Sequence, residues 1–175
     1  MKRLAVLLGA TILTAVPPLH AGALTPTMVR GGGAGTFGAD LDGDGDIDGS
    51  RFGLGVAILG GGSARGHFLC LMAGSSDILG LPVMSVGGPV HDGDLGPNDG
   101  VTFEGTATVN LGGGLVFRGV PFRVHVTAGG PGSGTMQLTV IGAFDGVPGD
   151  TSPGNGNYDL PVETVSAGQI RIVTS

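Results

Sequence analysis

The chain has 175 residues, room for one domain of ordinary size and little else, and a formal charge of −6. Six arginines and no lysine follow residue 3, so few phosphates could be neutralised and nucleic-acid binding is disfavoured on charge. With no tryptophan and a single tyrosine, Tyr158, the aromatic platforms that stack on sugar rings are missing, which argues against carbohydrate as a partner.

The first 23 residues read as a secretory signal peptide: Lys2-Arg3, an apolar run from Leu4 to Val16, then the small-residue exit Ala21-Gly22-Ala23 with cleavage expected after Ala23. The run is broken by Pro17-Pro18 and is short for a membrane span, which needs about 18 to 20 apolar residues. No later stretch approaches that length, so no transmembrane segment is expected in the mature chain. The expectation is a secreted protein, extracellular, at the cell surface or in the periplasm, with residues 24–175 forming a single β-domain. Loss of Lys2 and Arg3 with the leader takes the formal charge from −6 to −8. The only cysteine, Cys70, cannot form an internal disulfide, and its neighbours Phe68, Leu69, Leu71 and Met72 mark it as a buried apolar residue on a strand.

Glycine and proline, 38 and 11 residues, would suit a disordered chain if no periodicity accompanied them. Periodicity does accompany them. The first strand is expected near Met28–Phe37, and an acidic loop follows: Asp40-Leu41-Asp42-Gly43-Asp44-Gly45-Asp46-Ile47-Asp48-Gly49-Ser50. Five carboxylates at alternate positions repel one another unless a cation gathers them, and the spacing matches the opening of an EF-hand loop. Asp40, Asp42 and Asp44 take ligand places 1, 3 and 5, Gly45 the sharp turn at 6, Asp46 the backbone carbonyl at 7, and Asp48 place 9. The expected ion is Ca²⁺. Place 12, normally a bidentate glutamate, is Arg51, so the affinity expected is weak. Beyond the loop, Gly53 and Gly55 alternate with Phe52, Leu54 and Val56; that is poor helix material, so the loop should close a β-hairpin rather than join two helices.

Further strands are expected at Phe52–Leu59, Gly66–Met72 and Leu81–Val86, with Pro89–Gly100 as an acidic turn. In the second half, Val101, Phe103, Gly105, Ala107 and Val109 alternate with polar residues, as do Val120, Phe122, Val124 and Val126, and then Met136, Leu138 and Val140. Glycine-rich turns at 112–114 and 129–132 separate these strands. A long loop rich in glycine, proline, aspartate and asparagine, Asp145–Pro161, precedes a last strand at Gln169–Val173. About eight or nine short strands and no credible helix after the signal predict an all-β fold, a single antiparallel β-sandwich with a β-barrel as the alternative.

Several marks in order, Arg30-Gly31-Gly32-Gly33, Gly66-His67-Phe68, Asn110-Leu111-Gly112-Gly113, Pro121-Phe122-Arg123-Val124-His125-Val126 and Gly168-Gln169-Ile170-Arg171-Ile172, resemble the post-COAP-1 type of small secreted bacterial β-domain. The resemblance spans nearly the whole mature chain and implies an exported or surface module without stating an activity. Separately, the acidic loop resembles the calcium loops of dockerin modules; those carry two such segments with helices, so cohesin binding does not carry over.

Catalysis finds little support in the sequence. His67 and His125 fall on expected strands, and neither a Gly-x-Ser-x-Gly elbow nor an HExxH pair occurs. A second acidic group, His91, Asp92, Asp94, Asn98 and Asp99, matches no ligand spacing and reads as turn chemistry, as do Asp145, Asp150 and Asp159. The expectation is therefore not an enzyme but a structural or interaction module with a protein or cell-surface partner. The alternative is a secreted enzyme or ligand-binding protein with its site beneath the 145–161 loop.

Overall fold

The computed structural model describes residues 25–40, 47–78, 81–96 and 100–174. The proposed leader, and with it the cleavage point, lies outside the described residues. Nine strands follow in order: β1 (Thr27–Thr36), β2 (Gly49–Gly60), β3 (Ser63–Ile78), β4 (Leu81–Leu95), β5 (Gly100–Asn110), β6 (Val116–Thr127), β7 (Thr135–Val140), β8 (Tyr158–Asp159) and β9 (Glu163–Thr174). All pairings are antiparallel. Among the described residues there is no helix, and therefore none long and apolar enough to cross a membrane.

The fold is all-β, as the alternation predicts, and consists of one continuous sheet of order β6-β5-β4-β3-β2-β1-β9-β7-β8. Because β6 also pairs with β7, from Phe122↔Val140 to Thr127↔Thr135, the sheet closes on itself in a ring. Consecutive hairpins build the first six strands, and the tight glycine turns at 60–62 and 112–114 bring β3 back onto β2 and β6 back onto β5. The β2–β3 turn shows this directly: Gly60, Gly61 and Gly62 have φ of 83°, 63° and 81°, a left-handed run that side chains with a Cβ strongly resist.

Period-two alternation puts one side of every strand inside the ring. Val29, Phe52, Leu54, Val56, Phe68, Val101, Phe103, Phe122, Val124, Leu138 and Ile170 are all buried there. Phe68 anchors the centre, stacked on Phe122 with ring centroids 5.5 Å apart and edge-on to Phe103 at 5.9 Å. Aromatic pairs in these arrangements contribute about 0.5–1.5 kcal/mol beyond the area they bury.

Four elements differ from the sequence reading, the first being β3, which runs past Met72 to Ile78. β4 does not stop at Val86 but runs to Leu95, pairing Asp92, Gly93, Asp94 and Leu95 with β5. A register shift between Val90 and Asp92 inserts one residue and interrupts the alternation, so the acidic half of this strand reads as a turn. β9 begins at Glu163 rather than at residue 169, and the long loop contains the short strand β8.

Candidate functional site

The acidic segment joins β1 to β2, as the glycine-spaced strand after it implies. The two strands pair without interruption to Thr36↔Gly49, and one further bond, from the Phe37 N–H to the Asp48 carbonyl at 2.7 Å, closes the base of the hairpin. Asp40 is exposed at one side of the loop; Asp48, at the other, is 7% exposed. Asp42, Asp44 and Asp46 lie outside the described residues. Among the described residues no group of three or more histidine, cysteine, aspartate or glutamate side chains gathers in a metal-binding arrangement.

Directly inside the base of this hairpin is a polar cluster that the sequence reading does not identify. Ser50, two residues after Asp48 on the inward side of β2, donates its Oγ–H to Glu163 Oε2 at 2.7 Å, and both residues are buried. Glu163 starts β9 opposite Met136 and is 2% exposed. Burial pushes its carboxyl up to about 7 from an ordinary 4.5, against the hydrogen bonds from the Ser50 side chain and backbone that favour the ionised form. The chain makes room for it with Gly35: a Cβ there would stand 2.4 Å from Glu163 Oε2.

Cys70 completes the cluster. Its thiol is pushed up to about 12 by burial and then by the nearby Glu163 charge, with the Ser50 hydroxyl beside it working the other way. A thiol so far from ionisation is a poor nucleophile, in agreement with its reading as a buried apolar residue. Ser50 is likewise committed as a donor to the carboxylate, and no histidine stands beside it among the described residues. The cluster can hold or release one proton at Glu163; nothing in it activates a hydroxyl for attack.

The described histidines are dispersed over three strands. His67 is exposed on β3; His91 on β4 contacts Asp92 (2.7 Å) and Thr106 (3.1 Å) in the open; His125 on β6 contacts Thr102 (3.0 Å). Nor do the acids of the 145–161 loop converge on a vacant centre, because their oxygens accept from the loop itself. Asp145 binds the N–H groups of Gly154 (2.6 Å) and Gly156 (3.0 Å), while Asp150 binds those of Gly146, Ser152 and Asp159. Asp159 takes the Thr139 hydroxyl and the Asn155 amide. For Asp150 burial works against ionisation, yet those three backbone donors together hold its carboxyl below the usual range. This is the turn chemistry expected of these residues, carried out at the scale of a whole loop.

Beneath that loop the space is filled. Tyr158 and Leu160 are buried, with Phe144 and Val147 packed against the core, and Tyr158 Oη donates to the Pro148 carbonyl at 3.1 Å. Comparison with family models, with curated proteins and with solved structures gave no match. The functional reading therefore rests on the geometry above.

Proposed function

We propose that the chain is a secreted, non-catalytic structural or interaction module whose first hairpin is clipped by a weakly bound Ca²⁺. The observation that carries this reading is the filled ring. Aromatic and aliphatic side chains from β1 to β9 occupy the interior, and the buried groups capable of chemistry, Ser50, Cys70 and Glu163, are sealed within it. Contact with other molecules then falls to the outer faces and the loops. The likeness to small exported β-domains noted in the sequence points the same way.

Asp40, Asp42, Asp44 and the Asp46 carbonyl would supply the calcium ligands, with Asp48 closing the loop at its base, where Phe37 and Asp48 already join the two strands. Bound there, the ion would offset the mutual repulsion of the carboxylates and fasten the ends of β1 and β2 together. With Arg51 at the closing place, a dissociation constant on the order of 10⁻⁴ to 10⁻³ M is expected. The test is thermal unfolding with millimolar Ca²⁺ and with a chelator, for the natural chain and for Asp44→Asn. A rise in midpoint that Asp44→Asn abolishes is expected; a midpoint indifferent to Ca²⁺ refutes the clip.

A further inference from the structure

Charge on this acidic molecule is unevenly placed. Of the six arginines after residue 3, Arg30, Arg51, Arg65 and Arg171 all lie exposed on the outer face of the contiguous strands β9, β1, β2 and β3. Over the stretches 27–36, 49–60, 63–72 and 163–174 the one acidic residue is Glu163, and it is turned into the core. Among the described residues the ion pairs are His91–Asp92 and Arg123–Glu104, so none involves these four arginines.

Arg30 and Arg171 stand directly opposite each other across the β1–β9 pair. Like charges in that relation repel at a separation of roughly 5 Å. They are flanked by a succession of shallow depressions that follows β1. One of about 240 Å³ lies between Met28, Arg30, Arg171 and Val173; a second of about 350 Å³ lies over Arg30, Gly32, Gly168, Gln169 and Arg171; a third of about 390 Å³ lies near Ala34 and Arg51. The first two share Arg30 and Arg171 and the third lies further along the same strand, so together they mark out a groove interrupted between Gly32 and Ala34 on a strand of ten residues, about 33 Å long at ~3.3 Å per residue.

Beside it on β2 the outer face is bare, because Gly53, opposite Gly32, and Gly55, opposite Arg30, have no side chains. A Cβ at either would meet nothing within 4 Å, and neither has a positive φ. Neither packing nor backbone conformation asks for glycine there, although glycine weakens a strand. Such glycines mark places where another backbone comes close.

We propose that this groove binds an extended acidic segment of a partner polypeptide, laid along β1 with carboxylate side chains on Arg30 and Arg171. An extended chain turns every second side chain to one face, a repeat of about 6.6 Å that equals the spacing of the outward residues Met28, Arg30 and Gly32. The guanidinium fork matches a carboxylate with two parallel hydrogen bonds. Apolar Met28 and Val173 beside the arginines, with Val173 54% exposed, favour an occupant that carries apolar as well as acidic side chains, which selects a peptide over an inorganic anion. The one ring on this face is the small imidazole of His67, across β2 from Arg30, and no phenylalanine, tyrosine or tryptophan stands outward there as a platform for a base or sugar ring.

The inference rests on the reading of the chain as an interaction module and names the chemistry of its partner. Its test is fluorescence anisotropy of a labelled Val-Ser-Glu-Ser repeat peptide of about ten residues, titrated with the full chain at low and physiological salt. Arg30→Glu is compared with Arg118→Glu on β6, which makes the same charge change elsewhere. Saturable binding that weakens roughly tenfold in Arg30→Glu and far less in Arg118→Glu is expected. Gly53→Thr, which adds a side chain beside Gly32 without a clash, should also weaken binding while the melting midpoint is kept. No binding, equal loss in the two arginine variants, or tighter Arg30-dependent binding of inorganic phosphate or a sulfated polysaccharide overturns the proposal. If the peptide fails to bind while the Ca²⁺ melting shift persists, the groove assignment falls and the module reading stands; if the peptide binds and is cleaved, the module reading falls.

Discussion

Replacing Glu163 by glutamine isolates the energetic role of the buried cluster. Below pH 4.5 the carboxyl is protonated in both the folded and unfolded chain, and burial costs nothing through ionisation. Between pH 4.5 and about 7 the unfolded chain releases its proton while the folded chain retains it, so stability falls as pH rises; above about 7 the loss levels off. A folded-state value of about 7 against an ordinary 4.5 makes the full loss about 3 kcal/mol. Glutamine is isosteric, has no charge to bury and can still accept from Ser50 Oγ. The natural protein and Glu163→Gln should therefore match near pH 4.5, diverge across the window, and differ by about 3 kcal/mol above neutrality with the variant the more stable. Guanidinium unfolding of both at a series of pH values measures this, with denaturant slopes expected to stay equal. A difference that does not change across the window, or a variant that loses stability above neutral pH, refutes the account.

Other changes probe the surrounding structure. Gly35→Ala drives a methyl group against Glu163 Oε2 and should destabilise by about 1–3 kcal/mol, as overpacking does, read by the same denaturant titration. Tyr158→Phe removes the donor to the Pro148 carbonyl and should cost about 1 kcal/mol, with faster proteolytic nicking between residues 145 and 157. Phe68→Ala opens a cavity between Phe103 and Phe122 and should cost about 3–5 kcal/mol, visible as a fall in thermal midpoint. Cys70 should resist thiol reagents in the native state and react on unfolding; rapid native labelling would contradict its burial.

The strands are legible in the sequence wherever alternation is clean. Val120–Val126 and Met136–Val140 show their inward faces directly, because each second residue is aliphatic or aromatic. Legibility fails where glycine takes an alternating place, or where an inserted residue shifts the phase, as in β4 between Val90 and Asp92. The hairpin role of the acidic loop is also legible, since Gly53 and Gly55 exclude a following helix. Glu163 is not: a single glutamate beside threonines and valines resembles a solvated strand position, and its burial depends on Gly35 and Ser50, 128 and 113 residues away in the chain. The arginine face is equally hidden, because Arg30 and Arg171 meet only when β1 and β9 pair from the two ends of the domain. A total charge of −6 averages such a face away.

The pairing of the first described strand with the last has a mechanical consequence. Thr27 and Thr174 lie opposite each other with their hydroxyls 3.1 Å apart, so the outer ends of the first and last described strands lie side by side at one pole. Tension applied through both ends would load the β1–β9 hydrogen bonds one after another, as a zipper opens, rather than shearing all of them together. The ring would part at that seam under modest force and expose Val29 and Ile170 before the remaining strands separated.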